Sequence, residues 1–203
     1  MLVIGLAGKK QYGKSTTANF IKEICPNLSI KEFALAESLK DLVIAGFGIP
    51  RECCYGTEEE KNRQLFYWEI CSQKLRDKYE KSPMDPLTGR ELLQLVGTDL
   101  FRENFCGSIW VRLCMNKIKQ SDADIAIISD VRFPNELAAV KVAGGKAIKI
   151  YRTLNITQSI QHISETALDN TPDACFDYVI QNYGTLEDLK DKTIGILEME
   201  NLL

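Results

Sequence analysis

The stretch that decides the fold lies at residues 2–15 and reads LVIGLAGKKQYGKS. Its apolar beginning, Leu2–Ala7, is typical of a strand that is buried on both faces of a parallel sheet. The next eight residues, 8–15, fit the pattern GxxxxGK[ST], and apolar residues recur at helical spacing over residues 15–25. A P-loop needs this succession of strand, glycine-rich loop and helix, so the sequence predicts an α/β protein that binds phosphate.

The residue types within the loop fit the binding of a nucleotide. Glycines let the backbone turn so that successive N–H groups point at phosphate oxygens, and the start of the helix adds favourable partial charge. Lys14 is expected to reach the β- and γ-phosphates of ATP, and the Ser15 hydroxyl is expected to ligate Mg²⁺. The residues predicted to bind ATP are Gly8, Gln11, Tyr12, Gly13, Lys14, Ser15 and Thr16.

Four more segments have strand character, at residues 29–34, 124–129, 146–151 and 176–180, and most of the chain between them has helical patterns. This alternation predicts a five-stranded parallel sheet with helices on both faces. Residues 35–90 break the alternation, because they are rich in charged helical patterns and lack a convincing strand. We therefore predict a core formed by residues 1–34 and 91–203, with a helical insertion at 35–90.

The third predicted strand ends in a carboxylate. Its sequence, IAIISD, finishes at Asp130, and Arg132 follows two residues later. Because α/β sheets bind ligands at the carboxyl ends of their strands, Asp130 is expected to hold Mg²⁺ through water or to touch the substrate. Arg132 is expected to lie beside the same site. The alternatives are a turn or helix-capping aspartate and a surface ion pair.

The composition excludes several other classes of protein. The 203 residues carry 25 Lys and Arg against 28 Asp and Glu, and this net charge of −3 argues against non-specific nucleic-acid binding. No apolar run approaches the roughly 20 residues of a membrane span. Seven cysteines without a CxxC pair, beside one histidine, indicate reduced thiols rather than a zinc site. We expect a cytoplasmic protein whose partners are small-molecule nucleotides, with no nucleic acid and no membrane.

Several further motifs accompany the P-loop: Arg90-x3-Gln94-x2-Gly97-Thr98-Asp99-x2-Arg102, Trp110, DVRFPNE at 130–136, His162-x-Ser164-Glu165 and Asp177-Tyr178-Val179-Ile180-x-Asn182. With them the chain resembles the deoxynucleoside monophosphate kinases of phages and other large DNA viruses. The resemblance implies a P-loop kinase fold, a monophosphate-binding insertion and a small lid at about residues 152–172. It also implies transfer of the γ-phosphoryl group of ATP to a deoxynucleoside monophosphate.

The resemblance also suggests roles for individual side chains. Phosphoryl transfer needs cations around the phosphates, and guanidinium groups bind phosphate oxygens in bidentate fashion. The candidates for catalysis are Lys14, Arg102, Arg132 and Arg152. The candidates for binding the monophosphate are Arg90, Gln94, Trp110, Asp130 and Arg132. For Trp110 the resemblance suggests stacking on the base, while its apolar neighbours leave core packing as the alternative; His162 and Glu165 are assigned no role.

Two other functions remain open at this stage. One is a P-loop kinase for another small acceptor, of the dephospho-coenzyme A or phosphomevalonate type, since the insertion is large enough for either. The other is a P-loop switch protein that hydrolyses nucleotide slowly to regulate a partner, although the arginines and the insertion favour transfer to an acceptor. Homodimers are common in the resembling family, and the sequence leaves the oligomeric state open.

Overall fold

The computed structural model describes residues 1–152 and 167–203. The chain forms two compact units, one made of Met1–Leu35 with Val111–Leu203 and the other of Ala36–Trp110. The second unit therefore runs past Arg90, where the sequence analysis ended the insertion. The reason is that the helical segment after Arg90 packs its apolar side chains into the core of this second unit.

The first unit contains a five-stranded parallel sheet with the strand order β2-β5-β1-β6-β7. Its strands are β1 (Leu2–Ala7), β2 (Ile30–Phe33), β5 (Ile125–Val131), β6 (Lys146–Tyr151) and β7 (Tyr178–Gln181). The predicted α/β fold with five parallel strands is confirmed. The last strand begins at Tyr178 rather than Phe176, because a 3₁₀ turn, Asp173–Cys175, precedes it.

Helices cover both faces of this sheet. They are α1 (Lys14–Ile24), α7 (Ile109–Lys119), α8 (Pro134–Val142) and α9 (Leu186–Met199), the first two residues of α7 belonging to the other unit. Apolar residues of α1 and α9, such as Ile21 and Leu189, pack on one face of the sheet. Residues of α7 and α8, such as Ile118 and Val140, pack on the opposite face. Thr185 and Asp188 form a capping box that starts α9, as their spacing predicts.

The second unit combines short helices with a two-stranded antiparallel sheet. Its elements are α2 (Glu37–Phe47), α3 (Glu52–Tyr55), α4 (Glu58–Lys61), β3 (Gln64–Tyr67), a 3₁₀ turn (Trp68–Ile70), α5 (Gln73–Lys78), β4 (Pro86–Thr88), α6 (Gly89–Gln94) and a π-helical segment (Leu95–Glu103). The expectation that this region lacks strands was wrong. Strands of three and four residues have too few positions to show an alternating pattern.

The core of the second unit is a single apolar cluster around the buried side chain of Trp68. Val43 of α2, Leu87 of β4 and Leu92 of α6 belong to the same cluster. No helix within residues 1–152 and 167–203 is long and apolar enough to cross a membrane.

Candidate functional site

The parallel sheet brings several predicted site residues to one edge. In the pairing register, Ala7 at the end of β1 lies opposite Val131 of β5 and Lys149 of β6. The P-loop therefore leaves the sheet beside Asp130 and Arg132, and Arg152 follows at the end of β6. Because parallel strands share their direction, their carboxyl ends gather on one side, which is where such sheets bind ligands.

The P-loop backbone adopts positive φ angles at three positions: +149° at Gly8, +67° at Gln11 and +106° at Gly13. Alternation of such residues with ordinary ones turns successive N–H groups toward a common centre, which forms an anion-binding concavity. Gly8 is also required by space, because a Cβ there would lie 2.6 Å from the backbone oxygen of Ile150. Gln11 is in the left-handed region without being glycine, a conformation that is often found at functional sites.

Lys14 lies across its own loop. Its Nζ donates hydrogen bonds to the backbone oxygens of Gly8, at 2.6 Å, and Lys9, at 2.9 Å. Both acceptors are neutral carbonyl groups, so a phosphate oxygen that carries a full charge would be a stronger partner for the ammonium group. This geometry holds the ammonium group at the loop that is predicted to receive the phosphates.

The first turn of α1 also suits an anion. Gly13 is the N-cap residue and provides no side-chain cap, and the first turn contains no acidic residue. The first N–H groups of a helix lack partners within the helix, so they and the helix dipole favour negative charge. The exposed Ser15 lies in this turn. The buried Thr17 is a structural neighbour instead, because its hydroxyl donates to the backbone oxygen of Gly13 at 3.0 Å.

Asp130 and Arg132 are held by contacts that the sequence analysis did not foresee. Asp130 Oδ1 accepts a hydrogen bond from the backbone N–H of Leu35 at 2.9 Å. Glu136, which is 4% exposed, accepts from the backbone N–H groups of Arg132 at 2.7 Å and Phe133 at 3.0 Å. Glu136 therefore fixes the turn that presents Arg132. Glu136 lies three residues after the N-cap residue of α8, and this capping-box spacing is a sequence signal that could have identified its role.

A pocket of about 250 Å³ opens beside the P-loop. It is lined by Ala7, Gly8, Lys9, Tyr12, Val131, Arg132, Lys149, Ile150, Tyr151, Leu168 and Asp169. Arg132 and three residues of the P-loop therefore share one cavity, as expected for groups that act on the same phosphates. The sequence analysis missed the contribution of β6, whereas Leu168 and Asp169 belong to the segment that it predicted as a lid.

Lys149 gives this pocket a buried positive charge. It is 6% exposed, and its Nζ lies 3.1 Å from the backbone oxygen of Thr171 and 3.0 Å from Asp173 Oδ1. Burial acts to lower the pKa of Lys149, but hydrogen bonds to Tyr151 and Asp173 outweigh it and raise the pKa, so the side chain stays charged. In turn, hydrogen bonds from Tyr151 and Lys149 lower the pKa of Asp173. A lysine within an apolar strand was the signal in the sequence.

The remaining candidates belong to the second unit. Arg90 is the exposed second residue of α6, and its guanidinium group lies 2.6 Å from Glu58 Oε2 and 3.2 Å from Asn62 Oδ1. Gln94 is exposed at the end of the same helix. Arg102 lies in the π-helical segment. π-helical segments occur frequently at functional sites, and the role of Arg102 stays a prediction.

Asp99 anchors the π-helical segment from inside the second unit. Its carboxylate is 2% exposed and lies 2.7 Å from Lys78 Nζ and 2.9 Å from the Tyr79 hydroxyl. Hydrogen bonds to Asp99 and Glu103 raise the pKa of Lys78, so this ion pair persists at neutral pH. The motif GTDLFR therefore includes a residue that ties two helical segments together.

Trp110 is buried in this structure. The side chain is 2% exposed, its Nε1 donates to the backbone oxygen of Gly97 at 3.0 Å, and its ring lies 5.2 Å from that of Phe101, centroid to centroid. A satisfied N–H and a tilted contact with another aromatic ring are typical of a core tryptophan. These contacts favour packing over stacking on a nucleobase.

The donor set at the sheet edge fits Mg²⁺. Mg²⁺ prefers oxygen ligands and keeps several waters, so a serine hydroxyl, a nearby carboxylate and substrate phosphates are enough to bind it. Ser15 supplies such an oxygen in the first turn of α1, which follows β1, and Asp130 supplies another near the carboxyl end of the adjacent strand β5. Within the described parts of the chain, no three His, Cys, Asp or Glu side chains cluster as a protein-only metal site. His162, Glu165 and most of the predicted lid lie outside the described residues.

Comparisons with known proteins place the chain in a family. A family model described as deoxynucleotide monophosphate kinase matches residues 51–193. A putative deoxynucleotide monophosphate kinase of Acanthamoeba polyphaga mimivirus is 30% identical over 98% of this chain and 97% of its own length. The deoxynucleotide monophosphate kinase of Enterobacteria phage T4 is 26% identical over 98% of this chain and 100% of its own length. The match to the family model begins after the P-loop, so this match and the P-loop motif are independent observations.

A third relative and one solved structure extend these comparisons. The deoxynucleoside-5'-monophosphate kinase of Escherichia phage T5 is 24% identical over 66% of this chain and 70% of its own length. A shikimate kinase from Bacteroides thetaiotaomicron covers 98% of both chains at 10% identity with a TM-score of 0.47, which is too low to support a functional comparison.

Proposed function

Because the chain belongs to the deoxynucleotide monophosphate kinase family, a family of phosphotransferases, we propose that its P-loop holds ATP while arginine side chains hold the deoxynucleoside monophosphate. The reaction moves the γ-phosphoryl group of ATP onto the monophosphate and yields a deoxynucleoside diphosphate. The protein has a P-loop kinase fold, with the phosphate-binding loop directly after the central strand of a parallel sheet.

The P-loop binds and orients the donor. Gly8, Gln11, Tyr12 and Gly13 surround the β-phosphate with backbone N–H groups, and Ser15 and Thr16 extend this cradle into the first turn of α1. Lys14 moves from its carbonyl partners to the β- and γ-phosphates. Mg²⁺, held through Ser15 and Asp130, supplies charge neutralisation at the transferring phosphoryl group. Little covalent chemistry is required of the protein, since positioning and electrostatics lower the barrier.

The acceptor is bound by side chains from several of the motifs that accompany the P-loop. Arg90 and Gln94 bind the monophosphate, and Arg102, Arg132 and Arg152 neutralise charge that develops during transfer. Arg90 exchanges its carboxylate partner Glu58 for phosphate when the acceptor binds. In this scheme Trp110 packs against the π-helical segment that carries Arg102 and does not stack on the nucleobase of the acceptor.

The observation that carries the proposal is the pocket at the carboxyl edge of the sheet, which Arg132 shares with the P-loop residues Gly8, Lys9 and Tyr12. A second cationic group from another strand neutralises charge during phosphoryl transfer, and the acceptor panel described below separates transfer to an acceptor from hydrolysis by a switch protein. A guanidinium group beside the P-loop is suited to a phosphoryl group that is passed to a second substrate.

A panel of acceptors with Mg-ATP tests this function. The panel contains the four deoxynucleoside monophosphates, the ribonucleotides, dephospho-coenzyme A and phosphomevalonate, with ADP formation followed by a coupled assay. We expect turnover that depends on at least one deoxynucleoside monophosphate and is lost in Lys14→Ala. ATP turnover that no acceptor raises would support the switch protein, and turnover with another acceptor alone would contradict the proposal.

We further propose that the enzyme works in the cytoplasm, on free nucleotides and without nucleic-acid or membrane partners. All seven cysteines are free thiols, which suits a reducing compartment. The net charge of −3 offers no large basic surface. A homodimer is the proposed alternative to a monomer, and light scattering during size-exclusion chromatography distinguishes the two.

A further inference from the structure

Asn182 is a buried polar residue for which the proposed function has no use so far. It follows β7 directly, is 5% exposed, and its own N–H donates to the backbone oxygen of Tyr151 at 2.7 Å. This bond ties Asn182 to the end of β6, so its side chain starts from a rigid part of the sheet. Buried amides of this kind are expected to have a polar partner, and here the partner is the P-loop.

The side-chain nitrogen of Asn182 lies 2.9 Å from the backbone oxygen of Tyr12. A carbonyl oxygen only accepts, so the atom that faces it must be the amide nitrogen, acting as donor. Asn182 also closes the space beside the next residue, because a Cβ on Gly13 would lie 2.7 Å from the same nitrogen. The loop and the asparagine are therefore fitted to each other at the residue where α1 begins.

The hydrogen bond fixes more than one atom. The oxygen of Tyr12 and the N–H of Gly13 belong to one planar trans peptide unit, in which they point in opposite directions. If the oxygen is held toward Asn182, the N–H of Gly13 must point away from it, toward the concave side of the loop. Gly13 begins the helix end that the P-loop offers to phosphate.

We infer that Asn182 is a positioning residue of the P-loop, which holds the Tyr12–Gly13 peptide so that the loop is organised for a nucleotide before the nucleotide arrives. The inference rests on the proposed function, in that it assigns nucleotide binding to the P-loop. Asn182 does not touch the nucleotide and acts through the backbone. Its loss lowers nucleotide affinity by letting this peptide rotate, which a purely structural asparagine would not do.

The test measures the Kd of Mg-ADP by calorimetry on the full chain, together with the melting temperature. Asn182→Asp keeps the shape and removes the donor, and Asn182→Leu removes the donor without adding charge. Both are expected to raise the Kd roughly tenfold, as the loss of a buried hydrogen bond would, while the KM for the deoxynucleoside monophosphate stays within about twofold. Asn182→Ser, which is milder and too short to reach Tyr12, is expected to shift the Kd in the same direction and serves if a larger change prevents folding.

Thr193→Val is the matched control. Thr193 is also buried, and its hydroxyl donates to the backbone oxygen of Leu189 within α9 rather than to the P-loop. This variant is expected to lower the melting temperature with an unchanged Kd. The inference is overturned if wild type binds Mg-ADP and the Asn182 variants bind within twofold of it, or if only Asn182→Asp is weakened, which would indicate added charge. Failure of wild type itself to bind would overturn the proposed function as well.

Discussion

The P-loop of the first unit, with its backbone amides and Lys14, is proposed to bind one substrate at the end of a parallel sheet, whereas Arg90 and Arg102 of the second unit lie on helical segments. Lys14 contacts neutral carbonyl oxygens of its own loop. Arg90 instead forms an ion pair with the carboxylate of Glu58. Two backbone carbonyl oxygens thus contact the ammonium group of Lys14, whereas a carboxylate contacts the guanidinium group of Arg90.

This difference determines which contacts each substrate would have to replace when it binds. Under the proposed function, phosphate that binds Lys14 replaces hydrogen bonds to two carbonyl oxygens. Phosphate that binds Arg90 would instead compete with the carboxylate of Glu58, which weakens the net gain but discriminates against weakly charged ligands. The predictions below test that contrast, starting with the largest expected effect.

Replacement of Lys14 by alanine is expected to have the largest effect. Loss of one cation aimed at the transition state typically costs a factor of about 10²–10³ in kcat. The melting temperature should change little, because the contacts of Nζ described here are to backbone oxygens of its own loop. Lys22→Ala, on the same helix, removes a surface ion pair with Glu32 and is expected to keep kcat within about twofold. Activity of Lys14→Ala within tenfold of wild type would refute the role of the P-loop.

Glycine substitutions in the two units should separate the effect of P-loop geometry on ATP binding from the effect of backbone strain on stability. Gly13 has φ +106°, and a Cβ there would clash with Asn182. Gly48, at the end of α2, has φ +63° with open space around its Cβ position. Gly13→Ala is expected to raise the KM for ATP at least tenfold.

Gly48→Ala serves as the control for Gly13→Ala. It is expected to cost about 1–2 kcal/mol of stability with no change in the KM for ATP, since only left-handed strain is added. Chemical denaturation and steady-state kinetics on both variants provide the measurement. Similar KM values for ATP in the two variants would mean that the P-loop tolerates a side chain at its last glycine.

Trp110→Phe tests whether the second unit uses its indole as a structural group. The loss of the hydrogen bond to Gly97 and of part of the ring is expected to lower the free energy of unfolding by about 1–3 kcal/mol. The KM for the deoxynucleoside monophosphate should stay within about twofold. Stacking on the base predicts the opposite, with a KM that rises about 5- to 150-fold when Trp110 is changed to alanine.

Fluorescence provides a second measurement for Trp110. Only two tryptophans are present, so Trp110 is the sole indole in a Trp68→Phe background. We expect its emission to remain unchanged when a deoxynucleoside monophosphate is added. Saturable quenching by that ligand, without a response to ATP alone, would restore the stacking hypothesis.

The smallest expected effect comes from the carboxylate that pairs with Arg90. Glu58→Gln removes the competing charge and is expected to lower the KM for the deoxynucleoside monophosphate by about two- to threefold, with kcat unchanged. Glu52→Gln is the matched control, because Glu52 pairs with Arg63, which is not a candidate site residue. If both variants behave alike, Arg90 has no special part in binding the acceptor.

The sequence predicted those features that depend on neighbours along the chain. The apolar run of β1, the glycine pattern after it and the start of α1 follow one another directly, so local conformation alone indicates a P-loop. The same holds for the carboxylate at the end of β5 and for the capping box of α9. The short strands β3 and β4 were not predicted, because three or four residues are too few to show an alternating pattern.

Only the tertiary structure decided which distant residues support the site. Asn182 contacts Tyr12 across 170 residues of sequence because β6 lies beside β1 and β7 beside β6. Lys149 lies in the pocket beside the P-loop because β6 neighbours β1. The order of strands in a sheet arises from how all the helices and strands pack, and no local pattern in the chain encodes it. The sequence thus specified the phosphate-binding loop by itself, while the residues that hold this loop in shape were determined by the sheet.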